Sequence, residues 1–204
     1  MSSLSFIKII VGLIFIGTAA NGNLITLKGR CPFVNVKPSL VNITPFLNGV
    51  SSVTFNSIAE TAPLSGINRT DITVTMEQPI PGIFKYTKRF RSKETGQCAE
   101  FLIFMKAANQ PGFYDMLYQV APNTNFVKYS GYFLAIDPKS IKSIGMACHN
   151  LPNSQYQIEV AVLSTSTSEY DKVTQEEVKN ALEFYNLGYL YQYIVGIENN
   201  DKCK

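Results

Sequence analysis

From about Val50 to Ser164 the chain divides into eight short segments rich in β-branched and aromatic residues, each bounded by turn-forming residues. The segments run Val53–Ala59, Thr70–Glu77, Ile83–Arg91, Gln97–Lys106, Phe113–Val120, Phe126–Ile136, Ile141–His149 and Tyr156–Leu163. The breaks carry Pro63, Gly66, Pro79-Ile80-Pro81-Gly82, Glu94-Thr95-Gly96, Pro111-Gly112, Pro122-Asn123, Asp137-Pro138 and Pro152-Asn153. Several alternate with period two. Ile72, Val74 and Met76 share a face against Asp71, Thr73, Thr75 and Glu77; Phe84, Tyr86, Lys88 and Phe90 share a face against Lys85, Thr87, Arg89 and Arg91. Short connections favour antiparallel neighbours. The expected fold is all-β: an eight-stranded antiparallel up-and-down barrel, whose closure removes exposed edges and whose interior can hold one small ligand.

One helix is expected after the strands, packed by its apolar stripe on the outside of the barrel. Val173-Thr174-Gln175-Glu176-Glu177 reads as a capping box, with Thr174 as the cap and Glu177 answering it. Val178, Ala181, Leu182 and Tyr185 recur at helical spacing, Gly188 is the expected stop, and a short strand over Tyr191 to Glu198 follows.

Residues 1–20 read as a signal peptide: Lys8, an apolar run Ile9 to Ile16, then the small residues Gly17-Thr18-Ala19-Ala20. The apolar run is short of the roughly 20 residues that span a bilayer, so no transmembrane anchor is expected. No internal repeat or low-complexity linker interrupts 21–204, which reads as a single secreted, extracellular domain. Without Lys8 the chain carries 17 basic and 15 acidic residues, a balance that argues against a nucleic-acid partner. The four cysteines, Cys31, Cys98, Cys148 and Cys203, are even in number and lack a CxxC pair, which favours disulfides over a zinc site and leaves three connectivities open. Asn42-Ile43-Thr44 and Asn68-Arg69-Thr70 are glycan acceptor sequences, at Asn42 and Asn68.

Catalytic chemistry finds little support. His149 is the only histidine, no nucleophile elbow is present, and one histidine with scattered carboxylates offers no metal-ligand spacing, so no catalytic residue, metal or cofactor is assigned. Lys85, Arg89, Arg91 and Lys93 form a basic strip that reads as a solvated face. The aromatics are more informative. Assigning the drier face of each strand inward yields a candidate ligand-binding lining of Phe55, Val74 and Met76, then Phe84, Tyr86, Phe101, Ile103 and Met105. Tyr114, Met116 and Tyr118 continue it, with Tyr129, Phe133, Ile158 and Val160. Such a surface suits a small hydrophobic molecule with one or two polar ends. Glu100, Asp115 and Glu159 fall on the wetter faces, which weighs against a binder of biogenic amines.

Eight strands, one helix, a short strand and a terminal cysteine form an order similar to that of the lipocalins. The stretch from Ile136-Asp137 through Cys148, then Tyr156 to Leu163-Ser164-Thr165, then Val173 to Cys203, resembles the last third of the apolipoprotein D and insect bilin-binding branch. At the start, Cys31-Pro32 lies 18 residues before Gly49, close to where that branch has its first-strand glycine. The resemblance implies the pairs Cys98–Cys203 and Cys31–Cys148. It also implies an open calyx for a lipophilic molecule such as a tetrapyrrole, retinoid, sterol, fatty acid or pheromone. The chain departs from the family's motifs. Gly49 is followed by Val50-Ser51 where the family has Gly-x-Trp; Ile136-Asp137-Pro138 stands for Thr-Asp-Tyr; and Leu163-Ser164-Thr165 lacks the arginine that covers the tryptophan. A second register, with Gly82-Ile83-Phe84 as the first motif, leaves too few strands after it. Two function classes follow: a carrier of a small hydrophobic ligand, which requires an open interior, or a protein-binding molecule acting through its loops with a filled barrel.

Overall fold

The computed structural model describes residues 24–34, 52–62, 68–109, 112–119, 126–137 and 142–203, with the side chains of 118, 119, 126 and 135–137 excepted. The leader expected over residues 1–20, the expected glycan site Asn42 and the Gly49-Val50-Ser51 stretch lie outside the described residues. Ten strands are described: β1 (Ile25–Lys28), β2 (Ser52–Thr61), β3 (Arg69–Ile80), β4 (Ile83–Ser92), β5 (Cys98–Ala107), β6 (Phe113–Gln119), β7 (Phe126–Asp137), β8 (Lys142–Leu151), β9 (Gln155–Ser164) and β10 (Ile194–Gly196). From β2 to β9 each strand pairs antiparallel with the next. The pairing of β9 with β2 closes the barrel. Its eight strands are those the sequence segments outline. Gly82 sits in the tight turn between β3 and β4 at φ 78°, a left-handed conformation suited to glycine after Pro81. That placement rules out the register that takes Gly82 as the first-strand glycine.

Two bulges shape the interior. On β2, Ser57 pairs with Leu163 but Ala59 pairs with Val162 and Glu60 with Ala161, so one extra residue is accommodated between Ser57 and Ala59. Ser57 and Glu60, of opposite parity, therefore share the inner face. On β3, Thr70 pairs with Arg91 and Thr73 with Arg89, with Asp71 at φ 54° taking up the extra residue. That shift lets Arg69 face inward along with Val74.

The helix α1 (Lys172–Phe184) is capped by Asp171, whose carboxylate accepts from the Thr174 amide at 2.8 Å. This corrects the expected cap. Thr174 lies inside the first turn, buried, and its hydroxyl takes a hydrogen bond from Lys142 Nζ on β8, which also pairs with Glu177 at 2.9 Å. The helix ends in a Schellman turn: Asn186 at φ 59° donates to the Glu183 carbonyl and Leu187 to the Leu182 carbonyl. Asn186 rather than Gly188 is thus the stop. Gly188–Tyr193 forms a 3-10 turn, and only Ile194–Gly196 of the expected last strand pairs, with β2. Val178 and Leu182 are fully buried on the outer wall of the barrel, each worth roughly 1.5–3 kcal/mol of apolar burial.

The chain's tail is strapped down. Asp71 accepts the amides of Asn200 and Asp201, each at 2.8 Å, and Arg91 Nε at 3.0 Å. The Ile72 amide donates to Asn199 Oδ1, and the Cys98–Cys203 disulfide follows. The second disulfide joins Cys31 to Cys148 on the outer face of β8. Both are the pairs implied by the family resemblance. They enclose separations of 105 and 117 residues, lengths at which chain-entropy stabilisation is on the order of 4–5 kcal/mol each.

Candidate functional site

Inside the barrel, Lys88 on β4 lies between two carboxylates. Its Nζ is 2.6 Å from Glu60 Oε1 on β2 and 2.6 Å from Glu159 Oε1 on β9. Neither strand is a sheet neighbour of β4, so both contacts cross the lumen. Ser57 Oγ donates to the same Glu60 oxygen at 2.8 Å. Arg69 completes the cluster, its guanidinium 4.1 Å from the centroid of the Phe90 ring. Relative exposures of 0% for Glu60, 1% for Lys88, 5% for Arg69 and 7% for Glu159 put all four charges out of bulk solvent. Burial acts to lower the Lys88 pKa, but the charges of Glu159 and Glu60 outweigh it and raise it, so the ammonium stays protonated. Burial, with the same two carboxylates, pushes the Tyr86 phenol well above its ordinary value, so it remains a neutral O–H.

Beside this cluster lies a cavity of about 30 Å³, room for about two water molecules. Tyr86, Lys88, Glu159, Ile103, Met116 and Phe133 line one part of it. A wall of small residues, Gly145, Ala147 and Ala161, lines the other. Gly131 extends that wall: a Cβ there would overlap Met116 Sδ, so the thioether occupies the space a side chain would need.

Strand register turns most of the expected lining inward. Phe55, Val74, Met76, Phe84, Phe101 and Met105 share the inner face with Tyr86, Lys88 and Ile103. Tyr114, Tyr129 and Phe133 do so with Met116. Edge-to-face contacts link Phe84, Tyr114 and Phe133. The Tyr118 side chain lies outside the described residues. Ile158 and Val160 are corrected: the inner face of β9 carries Glu159 and Ala161, so these two point outward. Residues on both faces of β9 are buried, so dryness does not identify the inner face there. Glu159 is corrected with them, from a wet face to the lumen, whereas Glu100 and Asp115 are surface partners of Arg89 and Lys128. The basic strip is neutralised, Lys85 by Glu77, Arg89 by Glu100, Arg91 by Asp71 and Asp201, and Lys93 by Glu198.

Glu60, Arg69, Glu159 and the small wall were not among the expected site residues. Lys88 offered the one signal, as the single charge on the aromatic face of its strand. Glu60 and Arg69 reach the lumen only through the two bulges, which period-two reading does not anticipate. His149 is held by an Nδ1–H hydrogen bond to the Lys128 carbonyl at 2.9 Å and stacks near Tyr129. Among the described residues no group of three His, Cys, Asp or Glu is placed to hold a metal, and no helix is long and apolar enough to cross a membrane.

A closed eight-stranded antiparallel barrel with one helix packed outside is the lipocalin fold. Solved lipocalin structures superpose over most of the chain. Insecticyanin from the tobacco hornworm Manduca sexta matches with a TM-score of 0.63 at 17% identity, covering 87% of this chain and 90% of that one. Lobster apocrustacyanin A1 matches at 0.61 and 10% identity, covering 86% and 92%. The cockroach allergen Per a 4 matches at 0.54 and 14%, covering 81% and 94%. At these identities the likeness is one of fold. No protein-family model and no curated protein sequence matches the chain.

Proposed function

We propose that the chain is a secreted binding protein that carries a small, largely hydrophobic molecule inside the barrel, in the chamber between the Lys88–Glu159 pair and the wall of Gly145, Ala147 and Ala161. One observation carries this reading: a buried ion-paired lysine and glutamate border a cavity. A buried pair seldom out-stabilises an apolar packing of the same volume, so four buried charges in a barrel core are better accounted for by recognition than by stability. Met116 supplies adaptability, since an unbranched thioether can swing aside to admit a ligand larger than the resting cavity. Two disulfides suit an oxidising extracellular compartment, in keeping with the 1–20 leader. Asn68 is exposed, as a glycan acceptor requires.

The test is native mass spectrometry with an absorption spectrum on protein made in an oxidising eukaryotic host, beside Ala147→Leu, which fills the chamber. A stoichiometric small molecule on the wild type that is lost from the variant supports the carrier reading. A protein that stays free of ligand when challenged with tetrapyrroles, retinoids, sterols, fatty acids and their alcohols overturns it. The size of the resting cavity favours a second reading, a filled barrel that engages a protein partner through its loops. Ligand pockets usually run to roughly 300–1,000 Å³.

A further inference from the structure

Among the described residues the buried charges inside the barrel are balanced two against two, with Glu60 and Glu159 facing Lys88 and Arg69. A ligand bearing a full charge must shed its hydration on entry, and it then meets a like charge for each opposite one in the cluster. An uncharged hydroxyl or carbonyl is treated differently. The Lys88 ammonium has three N–H donors, and Glu60 and Glu159 engage two of them, which leaves one for a ligand oxygen. The neutral Tyr86 phenol lines the same wall. Ile103, Met116 and Phe133 supply apolar surface for a tail.

We infer that the ligand is an uncharged amphiphile, an apolar tail ending in one hydroxyl or carbonyl, with its head hydrogen-bonded at the Tyr86–Lys88–Glu159 wall and its tail against Ile103, Met116 and Phe133. This rests on the reading of the barrel interior as a binding site. Acids and amines with the same tail are excluded by the balance of the quartet rather than by shape.

Displacement of a fluorescent apolar dye from the intact, disulfide-bonded protein at pH 7 tests it, using three probes of equal tail length: 1-octanol, octanoate and octylammonium. The expected result is that octanol binds at least about tenfold more tightly than either ion. If an ion binds as well as octanol or better, the interior site stands and the inference about its head group is overturned. If none of the three binds, this inference is overturned, and the carrier reading is decided separately by the native mass spectrum. Glu159→Gln keeps a hydrogen-bonding oxygen for Lys88 while leaving the quartet one positive charge in excess. In that variant octanoate is expected to gain about tenfold on octylammonium. An unchanged ranking places the probes away from the quartet and overturns the inference. The wild-type comparison needs no variant, so it holds even if Glu159→Gln does not fold.

Discussion

Lys88 and Glu159, 71 positions apart in sequence and on opposite walls of the barrel, meet at 2.6 Å across its interior. The contact ties β4 to β9 through the lumen rather than through the sheet, and Glu60 braces it from β2. The barrel core is therefore organised around a charge network as well as around apolar packing.

Removing the cation should expose the cost of that design. Lys88→Met leaves two carboxylates buried without their partner, and the expected loss in urea unfolding at pH 7 is about 3–5 kcal/mol. Adding Glu159→Gln to the same chain, which leaves one carboxylate against Arg69, should recover part of it. Equal stability of Lys88→Met and wild type would show that the network does not contribute.

Gly131 and Met116 define a steric relationship that can be tested separately. In Gly131→Ala the new Cβ would overlap Met116 Sδ and lie 2.8 Å from its Cγ, so the thioether must shift from its place beside the chamber. The expected outcome is an overpacking cost of about 1–3 kcal/mol, measured by thermal unfolding, with weaker binding of any interior ligand.

The tail strap should give way in acid. Burial acts to raise the Asp71 pKa, but hydrogen bonds from the Asp201 amide, the Arg91 guanidinium, the Asn200 amide and Thr70 outweigh it and hold it below its ordinary 3.8. A depressed carboxylate contributes stability that is fully present above 3.8 and is lost as pH falls through the lower folded value. Protection factors for amide hydrogen exchange at Ile197, Asn200 and Asp201 should therefore fall as pH drops through that lower value. Asp71→Asn should be less stable than wild type at pH 6, and the gap should shrink toward pH 2. A constant gap would show that the carboxylate charge is not what secures the strap.

The same strap depends on its disulfide. Replacing Cys98 and Cys203 together by alanine should lower stability by up to about 4–5 kcal/mol, with urea unfolding as the measure. Local opening of the tail and of β10 should appear before global unfolding, because beyond the buried Ile197 side chain this segment is held by a few backbone and amide hydrogen bonds, to Ile58, Ser57, Ile72 and Ser168.

The barrel was readable from the sequence because period-two alternation and Gly/Pro turns are local signals. All eight strands lie within a few residues of their expected bounds. The helix was readable for the same reason, although its cap moved to Asp171 once tertiary contact drew Thr174 and Glu177 to Lys142. The site was less so. Lys88 stood on an aromatic face, but its partners lie 28 and 71 residues away and depend on closure of the sheet. Glu60 and Arg69 are turned inward by bulges at Ser57–Ala59 and Thr70–Thr73, and a bulge reverses parity without any change in composition. Ile158 and Val160 misled because β9 is dry on both faces.

The most direct test of an interior binding site is the methyl NMR spectrum of methionine-labelled protein during a titration with 1-octanol. Met76, Met105 and Met116 face the lumen, whereas Met146, which also borders the cavity, has its side chain on the outer face of β8. An interior site predicts saturable shifts, largest at Met116 and smaller at Met146. Shifts that never saturate, or that spare Met116, would contradict it and move the search for a binding surface to the outside of the barrel.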